Sequence, residues 1–192
     1  MEIENSVLRK FYKQQRYKTK KEMVKAVLKI LKAENYFRDI LEILKKETKT
    51  KRVIYVTTNK PYSHISNLLK ENKISENNLF FIDCISKKVL PKIEETTNCI
   101  YLESPQLLTG ISIAINESIK GIKGEKILLL DSLSVLMLYN NMETVSKFSN
   151  FLINKMRLYS VDTIILALES DSEKDILDQI KQMVDEIQSN KI

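Results

Sequence analysis

Glycine is nearly missing from this chain. Only Gly110, Gly121 and Gly124 occur in 192 residues. A P-loop, GxxxxGK[ST], needs glycines so that backbone N–H groups can wrap phosphates, and a lysine to reach them. None of the three is followed by Lys-Ser/Thr in that pattern, and there is no GxGxxG. Gly121 and Gly124 stand too close together and precede a strand rather than follow one. Histidine is represented by His64 alone, expected on the face of the helix after Pro61 and not as a general base. Cys84 and Cys99 are too few for a disulfide framework or a four-thiolate zinc site. Both lie in strand-like runs and are expected as buried free thiols, with no basic neighbour in sequence to activate Cys84. GxSxG and HExxH are absent, and no metal site is expected. No apolar run approaches the ~20 residues of a membrane span. The first 21 residues hold no apolar core with a small-residue cleavage site, so a cytoplasmic protein is expected.

What is present is charge, unevenly placed. Apolar residues make 43% and charged residues 29%, a globular composition, with a net charge of +6. Residues 1–52 carry 16 Lys/Arg against 7 Asp/Glu, whereas residues 53–192 carry 15 against 18. The basic character belongs to the N-terminal quarter. Its densest part is Arg9, Lys10, Lys13, Arg16, Lys18, Lys20 and Lys21, with Phe11, Tyr12 and Tyr17 interleaved and no acid between 9 and 21.

Residues 1–50 read as a basic helical segment, set apart from an α/β domain over 51–192. Helices are expected over 7–17, over 21–32 from Met23, Val24, Val27, Leu28, Ile30 and Leu31 at three- and four-residue steps, and over 36–47. Beyond residue 51 the pattern alternates. Strands are expected at 52–58, 79–84, 99–103, 126–131 and 161–169. Helices are expected at 62–72, from Ser104-Pro105 to about 119, at 142–158 with Val145, Phe148, Leu152 and Met156 inward, and at 172–189. Phe151 is expected in the core, and Tyr139-Asn140-Asn141 between two helices through asparagine capping. Five short apolar strands alternating with helices indicate a mostly parallel five-stranded sheet covered on both faces.

Ligands of such a sheet bind beyond the carboxyl ends of its strands. There stand Thr57, Thr58, Asn59 and Lys60, then Asp83 and Cys84, Glu103 and Ser104, Asp131, Ser132 and Ser134, and Glu169 and Ser170.

The stretches VIYVTTNKPYSHISNLLKE (53–71), LFFIDCIS (79–86), IYLESPQLLTGISIAINESIKGIKGEKILLLDSLSVLMLYNN (100–141) and METVSKFSNFLINKMRLYSVDTIILALE (142–169) resemble the RecA/KaiC-like ATPases. "NKPY", "DSLS…LYNN" and "FLINKMR" are similar to a group of small, mostly archaeal members of that superfamily. The resemblance implies a RecA-like fold, with Asp131 in the place of the magnesium-binding acid. It also marks departures. The phosphate loop that those ATPases carry ahead of the segment beginning at Val53 is missing. Thr57-Thr58-Asn59-Lys60 stands where they carry glutamates. Phosphoryl transfer depends on positioning and charge stabilisation, so these losses imply an inactive domain. Asp131 is then expected to cap the next segment or to bond Ser134.

Three functions are open on this reading. The first is an inactive RecA/KaiC-like binding or regulatory module, with a protein partner or self-association through the long helix 142–158. The second is a nucleotide-binding protein with residual ATPase activity, its vestigial magnesium and nucleotide site made of Asp131, Ser132, Thr57, Thr58, Asn59 and Lys60. On the first reading no cofactor is expected; on the second, ATP and magnesium. The third is binding of nucleic acid or an anionic membrane surface through residues 9–21.

Overall fold

The computed structural model describes residues 23–90, 92–170 and 174–189. The expected helix over 7–17 and the cationic cluster from Arg9 to Lys21 lie outside the described residues.

The chain alternates strand and helix: β1 Ala26–Leu31, a 3-10 turn Ala33–Asn35, α1 Tyr36–Glu47, β2 Arg52–Thr57, α2 Tyr62–Glu71, β3 Leu79–Asp83 and the short α3 Ser86–Val89. There follow β4 Cys99–Tyr101, α4 Leu108–Gly121, β5 Lys126–Asp131, α5 Leu133–Tyr139, α6 Met142–Tyr159, β6 Asp162–Leu168, α7 Lys174–Lys181 and β7 Glu186–Ser189. The strands form one sheet in the order β4-β3-β2-β5-β6-β1-β7, and every pairing is parallel. Among the described residues the sheet therefore has seven strands, not five.

Two core layers hold it. On one face Leu28, Ile54, Val56, Leu128, Leu130 and Ile165 pack against α4, α5, α6 and α7. On the other, Leu31, Val53, Tyr55, Leu129 and Leu166 pack against α1 and α2. Cover on both faces is why the central strands read as continuous apolar runs: β2 and β5 bury every residue after their first. The helices obey the opposite rule, with one apolar face. In α1, Tyr36, Ile40, Ile43 and Leu44 point inward and Lys45 and Lys46 close the last turn, where cations suit the helix dipole. In α6, the Asn141 carboxamide oxygen accepts from the Thr144 N–H at 2.9 Å, the expected cap, and Ser160 ends the helix at φ 57°. Val145, Phe148, Leu152 and Met156 are buried as expected.

Four expectations are corrected. Residues 26–31 form a strand, not part of a helix over 21–32. Ala26, Leu28 and Ile30 face one core layer and Val27 and Leu31 the other, a period-two arrangement that a short apolar run satisfies as well as a helical one. β1 lies inside the sheet, paired with β6 and β7. The last expected helix over 172–189 ends at Lys181, and Glu186–Ser189 pairs with β1 as an edge strand. Ser104 and Pro105 open a turn, the Ser104 hydroxyl accepting from the Gln106 N–H at 3.1 Å, and α4 begins at Leu108. Phe151 is 54% exposed and outside the core. Among the described residues no helix is long and apolar enough to cross a membrane.

The two readings of residues 21–32 separate in stability. Leu28 is fully buried in the strand whereas Met23 is 88% exposed. Leu28→Ala is expected to cost about 2–5 kcal/mol in urea unfolding, and Met23→Ala within about 0.5 kcal/mol of zero. A helix buried through both residues would make the two losses comparable.

Candidate functional site at the carboxyl ends of β2 and β5

The chain leaves β2 toward β3 on one side and leaves β5 toward β6 on the other. The carboxyl ends of these neighbours are therefore a topological switch point, where an open α/β sheet offers a crevice to a ligand. Register puts Thr57 beside Asp131 on one flank and beside Asp83 on the other. Of the strand-end residues singled out from sequence, Thr57, Thr58, Asp83, Asp131 and Ser132 meet here.

They meet in a closed arrangement. Past the end of the ladder, the Thr58 N–H donates to the Asp131 carbonyl at 2.6 Å and the Thr58 hydroxyl donates to the same oxygen at 3.0 Å. The Ser132 N–H returns a bond to the Thr58 hydroxyl at 3.0 Å. These bonds extend the β2–β5 pairing across the crevice, and Thr57, Thr58, Asp131 and Ser132 are all fully buried. The Asp131–Ser132 peptide is cis. The Thr57 hydroxyl donates to the Lys60 carbonyl at 2.5 Å and accepts from the Lys60 N–H at 3.3 Å, so the turn folds on itself. Asn59 and Lys60 are half-buried at its tip. The Lys60 ammonium stands 5.5 Å from the Phe37 ring centroid, a cation–π contact.

The Asp131 carboxylate has two partners that the sequence reading missed. Tyr36, the first residue of α1, donates its hydroxyl to one oxygen, and Tyr55 in mid-β2 donates to the other. All three side chains are buried. Burial raises the Asp131 pKa above its ordinary value of 3.8, against the two hydroxyls and Lys60, which lower it. Burial also pushes both tyrosines well above 10, and the nearby carboxylate pushes them further, so both stay protonated donors. Asp131 does not cap the next helix. Ser132 does, its hydroxyl accepting from the Val135 N–H at 3.4 Å, while the Ser134 hydroxyl accepts from the Leu168 N–H at 2.9 Å. Two signals for the tyrosines lay in the sequence: one aromatic hydroxyl in an otherwise apolar strand, and one at the start of a helix.

The other strand-end groups serve local structure. Asp83 accepts from the Tyr62 N–H (2.7 Å), the Ile85 N–H (2.7 Å), the Ser86 N–H (2.9 Å) and the Ser86 hydroxyl (2.6 Å), fixing the starts of α2 and α3. Glu103 pairs with Lys87 at 3.2 Å on the surface. Cys84 and Cys99 are buried and free. Burial raises both thiols, Cys99 to about 12, the opposite of what a nucleophile needs. His64 is exposed on α2, its ring 6.1 Å from Phe37. Among the described residues no group of three or more His, Cys, Asp or Glu converges as metal ligands would. No family model matches the chain, and no curated protein matches it.

Tyr55→Phe keeps the ring and removes one donor from a buried carboxylate, so it is expected to cost about 1–3 kcal/mol in urea unfolding. Asp131 also sets a pH dependence. A carboxyl with a raised folded-state pKa holds its proton more tightly folded than unfolded. The stability it adds is fully present below the unfolded value and is lost as pH rises through the folded value. Relative to Asp131→Asn, the natural chain should gain stability as pH falls through that window. A stability difference flat from neutral to acid pH would contradict the raised value.

Proposed function

We propose that this chain is a RecA/KaiC-like α/β domain whose phosphoryl-transfer chemistry has been lost and which works as a binding or regulatory module for a protein partner. One observation carries the reading. Both oxygens of the strand-end carboxylate that would serve magnesium accept hydrogen bonds from buried tyrosines. Asp131 is fully buried, so a metal ion would have to enter a closed site and compete with Tyr36 and Tyr55 for the electron density of the same two oxygens, which opposes metal binding.

The segment ahead of Val53 supports the same reading. The resembled ATPases place their phosphate loop there. Here β1 leads through Lys32–Asn35, which has no glycine, into α1. The first side chain of α1 turns inward and donates its hydroxyl to Asp131. The resembled family implies ATP and magnesium, and the residues present do not fit them: one acid is occupied on both oxygens, and the Thr57–Lys60 turn spends its hydroxyl and an N–H on itself. That self-bonding weighs against residual nucleotide binding through Lys60.

Magnesium–ATP at millimolar concentration is expected to leave the melting temperature unchanged, because a ligand stabilises only in proportion to its occupancy of the folded state. Calorimetric titration should likewise give no binding heat. Hydrolysis above background that Asp131→Ala abolishes would overturn the reading.

A further inference from the structure

A parallel sheet has two ends, and Asp131 stands at the carboxyl end. The amino end carries cations. The stretch leading into β2, residues 45–52, holds Lys45, Lys46, Lys49, Lys51 and Arg52 against Glu47 alone. The stretch leading into its neighbour β5, residues 120–126, holds Lys120, Lys123 and Lys126 against Glu125 alone. The turn before β3 is balanced, with Lys73 and Glu76. Hydrogen bonds stitch the three into one surface. The Arg52 N–H donates to the Glu125 carbonyl at 2.8 Å, and the Arg52 guanidinium donates to the Asn77 carbonyl at 2.6 Å. The Asn78 carboxamide donates to the Thr48 carbonyl at 2.8 Å. Part of the charge is spent within the chain. Glu47 pairs with Lys46 and Lys51, Lys51 also with Asp162, and Lys120 with Glu117. Glu76 accepts from Ser66 and Asn98. Lys45, Lys49 and Lys123 are exposed and pair with no acid among the described residues, and Glu125 is exposed as well.

An aromatic ring stands at the same place. Between the three turns lies a pocket of about 300 Å³, lined by Arg52, Asn77, Asn78, Phe80, Ile122 and Lys123. Phe80 is half-buried, and among the aromatic residues of the described strands it alone packs in neither core layer. We propose that this surface binds single-stranded RNA, with one unstacked base in the pocket against Phe80 and neighbouring phosphates on Lys49, Arg52 and Lys123. Cations with an aromatic ring among them suit an unpaired strand: the phosphates supply salt-dependent affinity and the ring stacks a base. The volume is at the small end of ligand pockets and suits a single base. A duplex keeps the faces of its bases within the stack and cannot fill the pocket. RNA is favoured because proteins read it through unstacked bases, whereas double-stranded DNA is read in its grooves. The exposed Asn77 carboxamide both donates and accepts, as the ribose 2′-hydroxyl does. A lipid surface fits less well. Among the described residues, the exposed large apolar side chains all stand outside these three turns, so nothing on them would insert among acyl chains. β1 starts at the same end, two strands from β5 and so roughly 10 Å away. Residues 9–21, with seven cations, three aromatics and no acid, join the sheet there.

The surface lies at the far end of the strands from Asp131, so the proposal does not rest on the reading of that residue. The full chain, titrated into labelled oligouridine of roughly 12 nucleotides and followed by anisotropy, should bind, with an affinity that falls as salt rises. Lys49→Glu/Lys123→Glu should weaken binding at least ~10-fold and flatten the salt dependence. Circular dichroism and melting should not change, because both side chains are exposed. Lys87→Glu/Lys147→Glu makes the same charge change away from the pocket and should bind as the natural chain does. The chain has no tryptophan, so Phe80→Trp places a single reporter in the pocket. Oligouridine should quench its fluorescence, and heparin, which has charge but no base, should not. Phe80→Leu keeps an apolar side chain without the ring and should weaken binding at least ~5-fold. Absence of binding, an affinity flat in salt, or equal losses in the two double variants overturns the proposal. So does binding that neither quenches the reporter nor weakens in Phe80→Leu. Equal affinity for oligodeoxyuridine or for duplex RNA overturns the assignment to single-stranded RNA, and tighter binding to phosphatidylserine vesicles overturns it in favour of a membrane surface.

Discussion

A carboxylate taken out of water must find partners, and everything at the carboxyl edge of this sheet follows from how Asp131 finds them. Its two oxygens take one hydroxyl from α1 and one from β2, while its own backbone belongs to β5. Two consecutive elements, α1 and β2, are thereby held at one point to the distant β5. Removing one member would leave a buried polar group without its partner, which costs more than the bond itself contributes. The arrangement is a structural tie built from a residue type that, in an open crevice, would be a ligand.

The fold makes the contrast visible. A doubly wound parallel sheet places a crevice where neighbouring strands lead to opposite sides, and here that place lies between β2 and β5. Thr58 and Ser132 stitch the two strands together beyond their last paired residues, and Tyr36 fills from the α1 side. Thr57, Thr58, Asp131 and Ser132 are each bonded to a neighbour within the chain. Exposed apolar side chains stand on α6, at Phe151 and Leu158, and also on the segments that follow β3 and β5, at Val89, Leu90 and Leu138.

Much of this was legible in the residues, and the rest was hidden for physical reasons. β2 to β6 announced themselves as apolar runs bounded by turns, because a strand covered on both faces has no polar side to show. β1 did not, since AVLKIL suits a period of two and a period of 3.6 equally over six residues. β7 did not, because EIQS is a half-exposed edge strand with no apolar run. Of the site, Thr57, Thr58, Asp131 and Ser132 could be placed from strand ends alone. Their inward bonding could not, for it depends on Tyr36 and Tyr55, whose distances of 95 and 76 residues from Asp131 only the tertiary fold closes. Phe151 was misplaced for a related reason: periodicity shows that a residue is apolar, not whether a neighbour covers it.

The central claim is that Asp131 and its tyrosines form one coupled unit. A double-mutant cycle in urea unfolding, with Tyr36→Phe, Asp131→Asn and the pair together, tests it most directly. If the tie is what holds α1 to the sheet edge, the two substitutions should be non-additive, with a coupling energy above about 1 kcal/mol. Losses that simply add, with coupling near zero, would mean that Tyr36 does not depend on the carboxylate, and the account of a plugged site would fail.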